Sequence, residues 1–170
     1  MVGRRHKNKL LRSSAPFRHL GEEDIFRRYA MDMRKHAVSH RGYHVGGSGI
    51  GVTKDGRYVP LSGFNSKGAP GPRQPGDLCA EMRIIDDAKA KGCVAILEMW
   101  VAQPPQPDDF TGLDFGVAIS CGHCRMRYRK KELPNKKSPL KRDTKINFID
   151  STDERRWRAF TVERLLRVCS

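Results

Sequence analysis

The sequence predicts an α/β protein in which helices cover both faces of a mixed β-sheet. Three observations carry this. Asp55-Gly56 separates two apolar-rich runs, "YHVGGSGIGVTK" and "RYVPLSGFN", and Asp-Gly between such runs is a hairpin signal. "CVAILEMWVA", residues 93–102, is a nearly continuous apolar run of strand length, as expected of a central strand buried on both faces. After the hairpin, strand-like and helix-like segments alternate along the chain, the pattern of a sheet with helices packed on it.

The elements follow in order. Residues 22–37, "EEDIFRRYAMDMRKHA", place Ile25, Phe26, Tyr29 and Met33 at helical spacing. Acids open the segment and Arg34, Lys35 and His36 close it, complementing the helix dipole. The hairpin comes next. "KGAPGPRQPG", 67–76, has the Pro/Gly content of a loop. Residues 79–91 read as a helix with Met82, Ile84, Ile85 and Ala88 as its apolar face and Gly92 as its C-terminal cap. The apolar strand 93–102 follows, then the loop "QPPQPDDFTG" and the strand-like "DFGVAIS", 114–120. A short helix is expected over 122–132, a basic loop over 134–145, a strand over 146–150 and a helix over 159–168.

Composition narrows the function classes. A chain of 170 residues suits one domain, here 19–170, preceded by a basic arm at 1–18 expected to be disordered. No apolar run reaches the roughly 18 residues of a membrane helix, and the N-terminus lacks a secretory signal. A cytoplasmic protein is expected, with a cleaved organelle-targeting arm as the alternative. Five cysteines, without a secretory signal, favour metal binding or burial over disulfides. The net charge of +14 is concentrated in two places. Residues 1–18 hold Arg4, Arg5, Lys7, Lys9, Arg12 and Arg18 with no acid, and residues 125–145 hold ten Lys/Arg against Glu132 and Asp143. Such segments fit contact with phosphates, or simply solvated surface.

The chemistry is concentrated in four residues. Cys121 and Cys124 have C-x2-C spacing, which lets one turn of chain grip one metal ion. Cys79 lies at another predicted helix start, where free N–H groups favour thiolates. Three thiolates leave a tetrahedral zinc ion one open position, and water there becomes acidic near neutral pH. Glu81 shares the first turn with Cys79 and can reach such a water as proton shuttle without ligating the metal. Cys-x-Glu followed by Cys-x2-Cys is the signature of zinc nucleobase deaminases. The competing reading is a closed structural site with His123 or another histidine as fourth ligand, which leaves Glu81 without a role. Cys93 reads as core and Cys169 as incidental.

At this point residues 24–168 resemble the small, three-cysteine cytidine deaminases. "YHVGG" (43–47) is similar to that family's F-x-V-G and "GFNSK" (63–67) to its N-x-E. "CAEMRII" (79–85) and "SCGHCR" (120–125) resemble its C-A-E and P-C-G-x-C-R, and "FTVERLL" (160–166) its T-V-x-x-L-L. The resemblance implies a three-layer α/β/α sandwich with a mixed five-stranded sheet, and Zn2+ on Cys79, Cys121 and Cys124. It implies Glu81 as proton shuttle in hydrolytic deamination of a cytosine-type base. Asn65, Tyr43, Lys67 and Ala80 would line the substrate, and the assembly would be a homo-oligomer, tetramer or dimer. Three residues depart from the pattern. Lys67 stands where the family's ribose-binding glutamate falls, and an ammonium donates hydrogen bonds where a carboxylate accepts them. Met82 replaces an arginine, with Arg83 one step further round the helix, and Ser120 replaces a proline. The leading expectation is a deaminase of a nucleoside, nucleotide or modified nucleoside. A deaminase of cytosine in single-stranded DNA or RNA comes next, with the basic segments tracking phosphates. The third is a non-catalytic nucleic-acid-binding subunit with a deaminase-like fold.

Overall fold

Asp55-Gly56 turns the chain between two antiparallel strands, β2 (Gly46–Thr53) and β3 (Tyr58–Phe64), so the hairpin forms where its turn chemistry places it. The computed structural model describes residues 22–39, 42–67, 78–105 and 120–168. The expected basic arm at 1–18, Arg73 in the Pro/Gly loop and the strand-like 114–119 lie outside the described residues.

The apolar run becomes the longest strand, β5 (Cys93–Gln103), flanked by β2 on one side and by β6 (Lys145–Asp150) on the other. A fifth strand, β7 (Trp157–Thr161), pairs antiparallel with β6 and completes the order β3-β2-β5-β6-β7. Only β5 and β6 are parallel, so the sheet is mixed, as expected. Two dipeptides, β1 (Val38–Ser39) and β4 (Ser66–Lys67), form a separate parallel pair.

Helices cover both faces. α1 (Glu22–Met33) lies on one, where Ala30, Ile50, Trp100, Ala102 and Ile149 form a small core and Phe26 stacks on Trp100 with ring centroids 5.0 Å apart. α2 (Ala80–Ala90), α3 (Gly122–Arg127) and α4 (Val162–Val168) line the other, larger core. Met82, Ile84, Ile85, Ala88, Met99, Val101, Phe148 and Leu165 are fully buried there. The expected apolar face of α2 is therefore the observed one, and Cys93 is core. Alternation along β2 explains how one strand serves two layers. A Cβ on Gly46 would sit 2.3 Å from the Arg34 nitrogen and 2.4 Å from the Ala30 carbonyl oxygen of α1. On β3, a Cβ on Gly63 would sit 2.4 Å from the Ala80 carbonyl oxygen, so α2 approaches the sheet backbone where its first turn begins.

Three local expectations change. The helix expected over 159–168 begins at Val162, because residues 157–161 pair with β6 and bury only Phe160. The helix expected over 22–37 ends as α-helix at Met33 and tightens to a 3-10 turn over Arg34–His36. On α1, Ile25 is 63% exposed and Tyr29 39% exposed, so Phe26 and Ala30 carry the packing. Among the described residues no helix is long and apolar enough to cross a membrane.

Candidate metal centre and active site

Two helix starts on the same face of the sheet bring the three cysteines together. Cys79 is the N-cap of α2 and Cys121 the N-cap of α3, and neither side chain caps its helix. Their extended backbones (ψ 156° and 160°) turn the chain sharply into each helix. The entry to α2 is fixed by β4: the Ser66 N–H donates to the Leu78 carbonyl (3.0 Å) and the Leu78 N–H to Ser66 Oγ (3.4 Å). The entry to α3 is fixed by buried Arg125, whose Nη1 donates to the Ser120 carbonyl at 2.7 Å.

The Sγ atoms of Cys79 and Cys121 are 3.6 Å apart, as are those of Cys121 and Cys124, and all three lie within 4.8 Å of one another. Ligands on a tetrahedral zinc ion with Zn–S of about 2.3 Å stand about 3.8 Å from each other. The spacing therefore fits that ion. The electrostatics fit as well. Hydrogen bonding from Cys121, with burial and the Glu81 charge, pushes the Cys79 thiol up to about 12, and Cys124 is raised for the same kinds of reason. Cys79 and Cys124 resist ionisation by themselves, and a cation at the centre of the cluster removes the obstacle.

Glu81, in the first turn of α2, is 3% exposed. Burial, then the charge of Cys121, raises its carboxyl to about 7, against hydrogen bonds from Ser120 and Cys124. Beneath it, fully buried Tyr128 sets its Oη 3.5 Å from Ser120 Oγ. A carboxyl that changes protonation near neutrality, beside a three-thiol cluster, suits proton transfer.

The other expected residues fall as follows. Tyr43 is half-buried beside the site. Its hydroxyl is raised by burial and then by the charges of Glu81, Cys121 and Cys79, and it donates to Gln103 Oε1 at 3.3 Å. Asn65 holds the Tyr43 segment, with Nδ2 donating to the Tyr43 carbonyl and Oδ1 accepting from the Val45 N–H, both at 2.8 Å. Ala80 is fully buried at the start of α2. Lys67 is half-buried at the end of β4, one residue beyond the Ser66 that pins Leu78. Met82, in the place of the family arginine, is core. Arg83 reaches the other way, donating to Ser66 Oγ at 2.8 Å and lying 5.2 Å over the Phe64 ring.

The structure also reassigns part of the basic segment. Arg127 pairs with Asp86 and Glu132, Arg129 donates to the Leu166 carbonyl, Lys141 to the Ser138 carbonyl, and Lys145 pairs with Glu98. Tyr128, the one aromatic in that segment, is buried and presents no face to solvent. Lys130, Lys131, Lys136, Lys137 and Arg142 remain exposed. Sequence reasoning missed Gln103. The only signal was a polar side chain ending an otherwise apolar strand.

No family model matches this chain, and no curated protein matches it in sequence. Among solved structures it is similar to cytidine deaminase from Burkholderia pseudomallei, with a TM-score of 0.57 and 17% identity over 84% of this chain and 94% of that one. It is also similar to a mutant cytidine deaminase from Mycobacterium tuberculosis, with a TM-score of 0.50 and 18% identity over 85% of this chain and 93% of that one. The shared architecture, the mixed five-stranded sheet between two helical layers, gives this chain the cytidine deaminase-like fold.

Proposed function

We propose that this protein is a zinc-dependent hydrolytic deaminase of a cytosine-type amino-base. The observation that carries the reading is the buried Glu81 carboxyl set beside three converging thiols. A structural zinc knot needs the thiols but has no use for a buried, titratable carboxyl. Cys79, Cys121 and Cys124 would hold Zn2+, which when bound supplies the Lewis acidity that activates water for attack on the amino-bearing ring carbon. The net change is addition of water oxygen to that carbon, cleavage of its exocyclic C–N bond and release of ammonia.

This chain's own residues manage the protons. Glu81 takes a proton from the attacking water, delivers it to the ring nitrogen and serves the departing amine. Ser120 orients its carboxyl. Tyr43, positioned by Asn65, and the α2 start at Ala80 form the walls against which the base rests. Lys67, at the end of β4, would favour an anionic substituent in place of a sugar hydroxyl, so a nucleotide or a carboxylate-bearing modified nucleoside is preferred over a plain nucleoside. The reading includes a homo-oligomer, tetramer or dimer.

The exposed Lys130, Lys131, Lys136, Lys137 and Arg142 favour a second substrate form, cytosine within single-stranded nucleic acid, through phosphate contacts. The buried Tyr128 weighs against a stacking platform in that segment.

The test is ammonia release from cytidine, deoxycytidine, their monophosphates, an aminoacyl-cytosine antibiotic and a single-stranded oligonucleotide. Glu81→Gln should keep its zinc and lose at least roughly 100-fold in rate. An unchanged rate removes Glu81 from the chemistry, and a wild-type protein inert on the whole panel removes the reading.

A further inference from the structure

On the α2 face of β5, Met99 and Val101 are fully buried in the main core, and the next residue on that face is Gln103, the last of the strand. β5 and β6 are parallel and end together, with Gln103 opposite Asp150. The carboxyl ends of neighbouring parallel strands are where open α/β sheets admit ligands. The same face carries the cysteine cluster.

Gln103 is 5% exposed. Its Oε1 accepts the Tyr43 hydroxyl, while its Nε2 is buried with no hydrogen-bond partner among the described residues. Leaving a buried amide donor unsatisfied is unfavourable, and a Leu or Met at this strand end would avoid it. The neighbouring Asp150 does not take the donor. Its Oδ1 accepts from the N–H and Oγ1 of Thr152, and its Oδ2 makes no hydrogen bond among the described residues and stands 3.5 Å from Arg156 Nη1 as an ion pair. At its other end the carboxamide is tied to Tyr43.

We infer that Gln103 is a substrate-recognition residue whose Nε2–H donates to an oxygen acceptor of the substrate held between Tyr43 and Glu81. The inference rests on the deaminase reading for the identity of the ligand. The acceptor is an oxygen of the ring carbonyl, the sugar or a phosphate. Tyr43 acts through Gln103 as a positioning residue: its hydroxyl, which also lies 3.5 Å from the Pro104 carbonyl, holds the carboxamide in place at the strand end.

The test is calorimetric binding of uridine and uridine monophosphate to the zinc-loaded protein. Gln103→Glu keeps the acceptor for Tyr43 and removes the donor. Gln103→Met removes both without adding charge, so a loss shared by the two variants is not repulsion. Both should bind at least one ligand roughly tenfold or more weakly, with zinc content unchanged and a cooperative melting transition retained. A loss with both ligands assigns the acceptor to base or sugar; a loss with the monophosphate alone assigns it to phosphate. Variants that bind as tightly as wild type, or a wild type that binds neither ligand, overturn the inference. If Gln103→Glu does not fold, Gln103→Met decides. Binding that depends on Gln103 without ammonia release from any cytosine compound refutes the deaminase reading alone.

Discussion

Zinc affinity should depend steeply on pH, and the steepness can be worked from the thiols. Ligation requires thiolates, yet Cys79 is pushed up to about 12 and Cys124 well above its ordinary value. Both therefore carry protons throughout the neutral range while the metal is absent. Each proton that binding displaces adds a factor of ten in affinity per pH unit. Two such thiols give a rise of at least roughly 100-fold per unit between pH 6.5 and 7.5. The sign is fixed: the thiols are raised, so affinity is lost as pH falls. Competition against a chromophoric chelator, corrected for the chelator's own protonation, measures the slope. Calorimetry in buffers of different ionisation enthalpy counts the protons independently. Cys124→Ser should bind more weakly with a shallower slope. A wild-type slope of tenfold per unit or less would falsify the argument, because it would mean that at least one of the two thiols is ionised before the metal arrives.

Two further predictions concern stability. Glu132, 3% exposed at its side chain, accepts Ser138 Oγ at 2.6 Å and pairs with Lys89 (2.9 Å) and Arg127 (3.4 Å), tying α2, α3 and the following loop together. Glu132→Ala should cost about 2 kcal/mol in denaturant unfolding, less than a fully buried pair because both cations are partly hydrated. Burial raises this carboxyl, but Ser138, Lys89 and Arg127 outweigh it and hold it low. Its contribution is thus present above the ordinary value of 4.5 and lost below it. Wild type should lose more stability on acidification than the variant, and parallel pH profiles would contradict this. Gly46→Ala should destabilise by about 3 kcal/mol, since its Cβ would meet the Ala30 carbonyl oxygen of α1 at 2.4 Å and the helix must lift to admit it, parting Phe26 from Trp100. A melting temperature within a degree of wild type would rule out that close approach.

What the sequence determined by itself is the set of features governed by local chemistry. Asp55-Gly56 set the hairpin because few dipeptides suit such a turn. The apolar faces of α2 and β5 were legible because period and length are printed in the residues themselves. The Cys121–Cys124 spacing was legible because both ligands come from one turn. What only the tertiary structure decided depends on partners distant in the chain. Cys79 meets Cys121 across 42 residues because β5 carries the chain along the sheet and returns it to the face where α2 begins. Residues 157–161 are a strand because β6 supplies the ladder; taken alone, Ala159–Thr161 fits a helix start equally well. Ile25 and Tyr29 lie exposed because Gly46 of β2 lets α1 approach closely and Ser48 Oγ donates to the Phe26 carbonyl, which turns the Phe26–Ala30 side toward the sheet. The Gln103 Nε2, without a hydrogen-bond partner among the described residues, could not be read from sequence at all, because an unmet hydrogen bond is a property of everything packed around it.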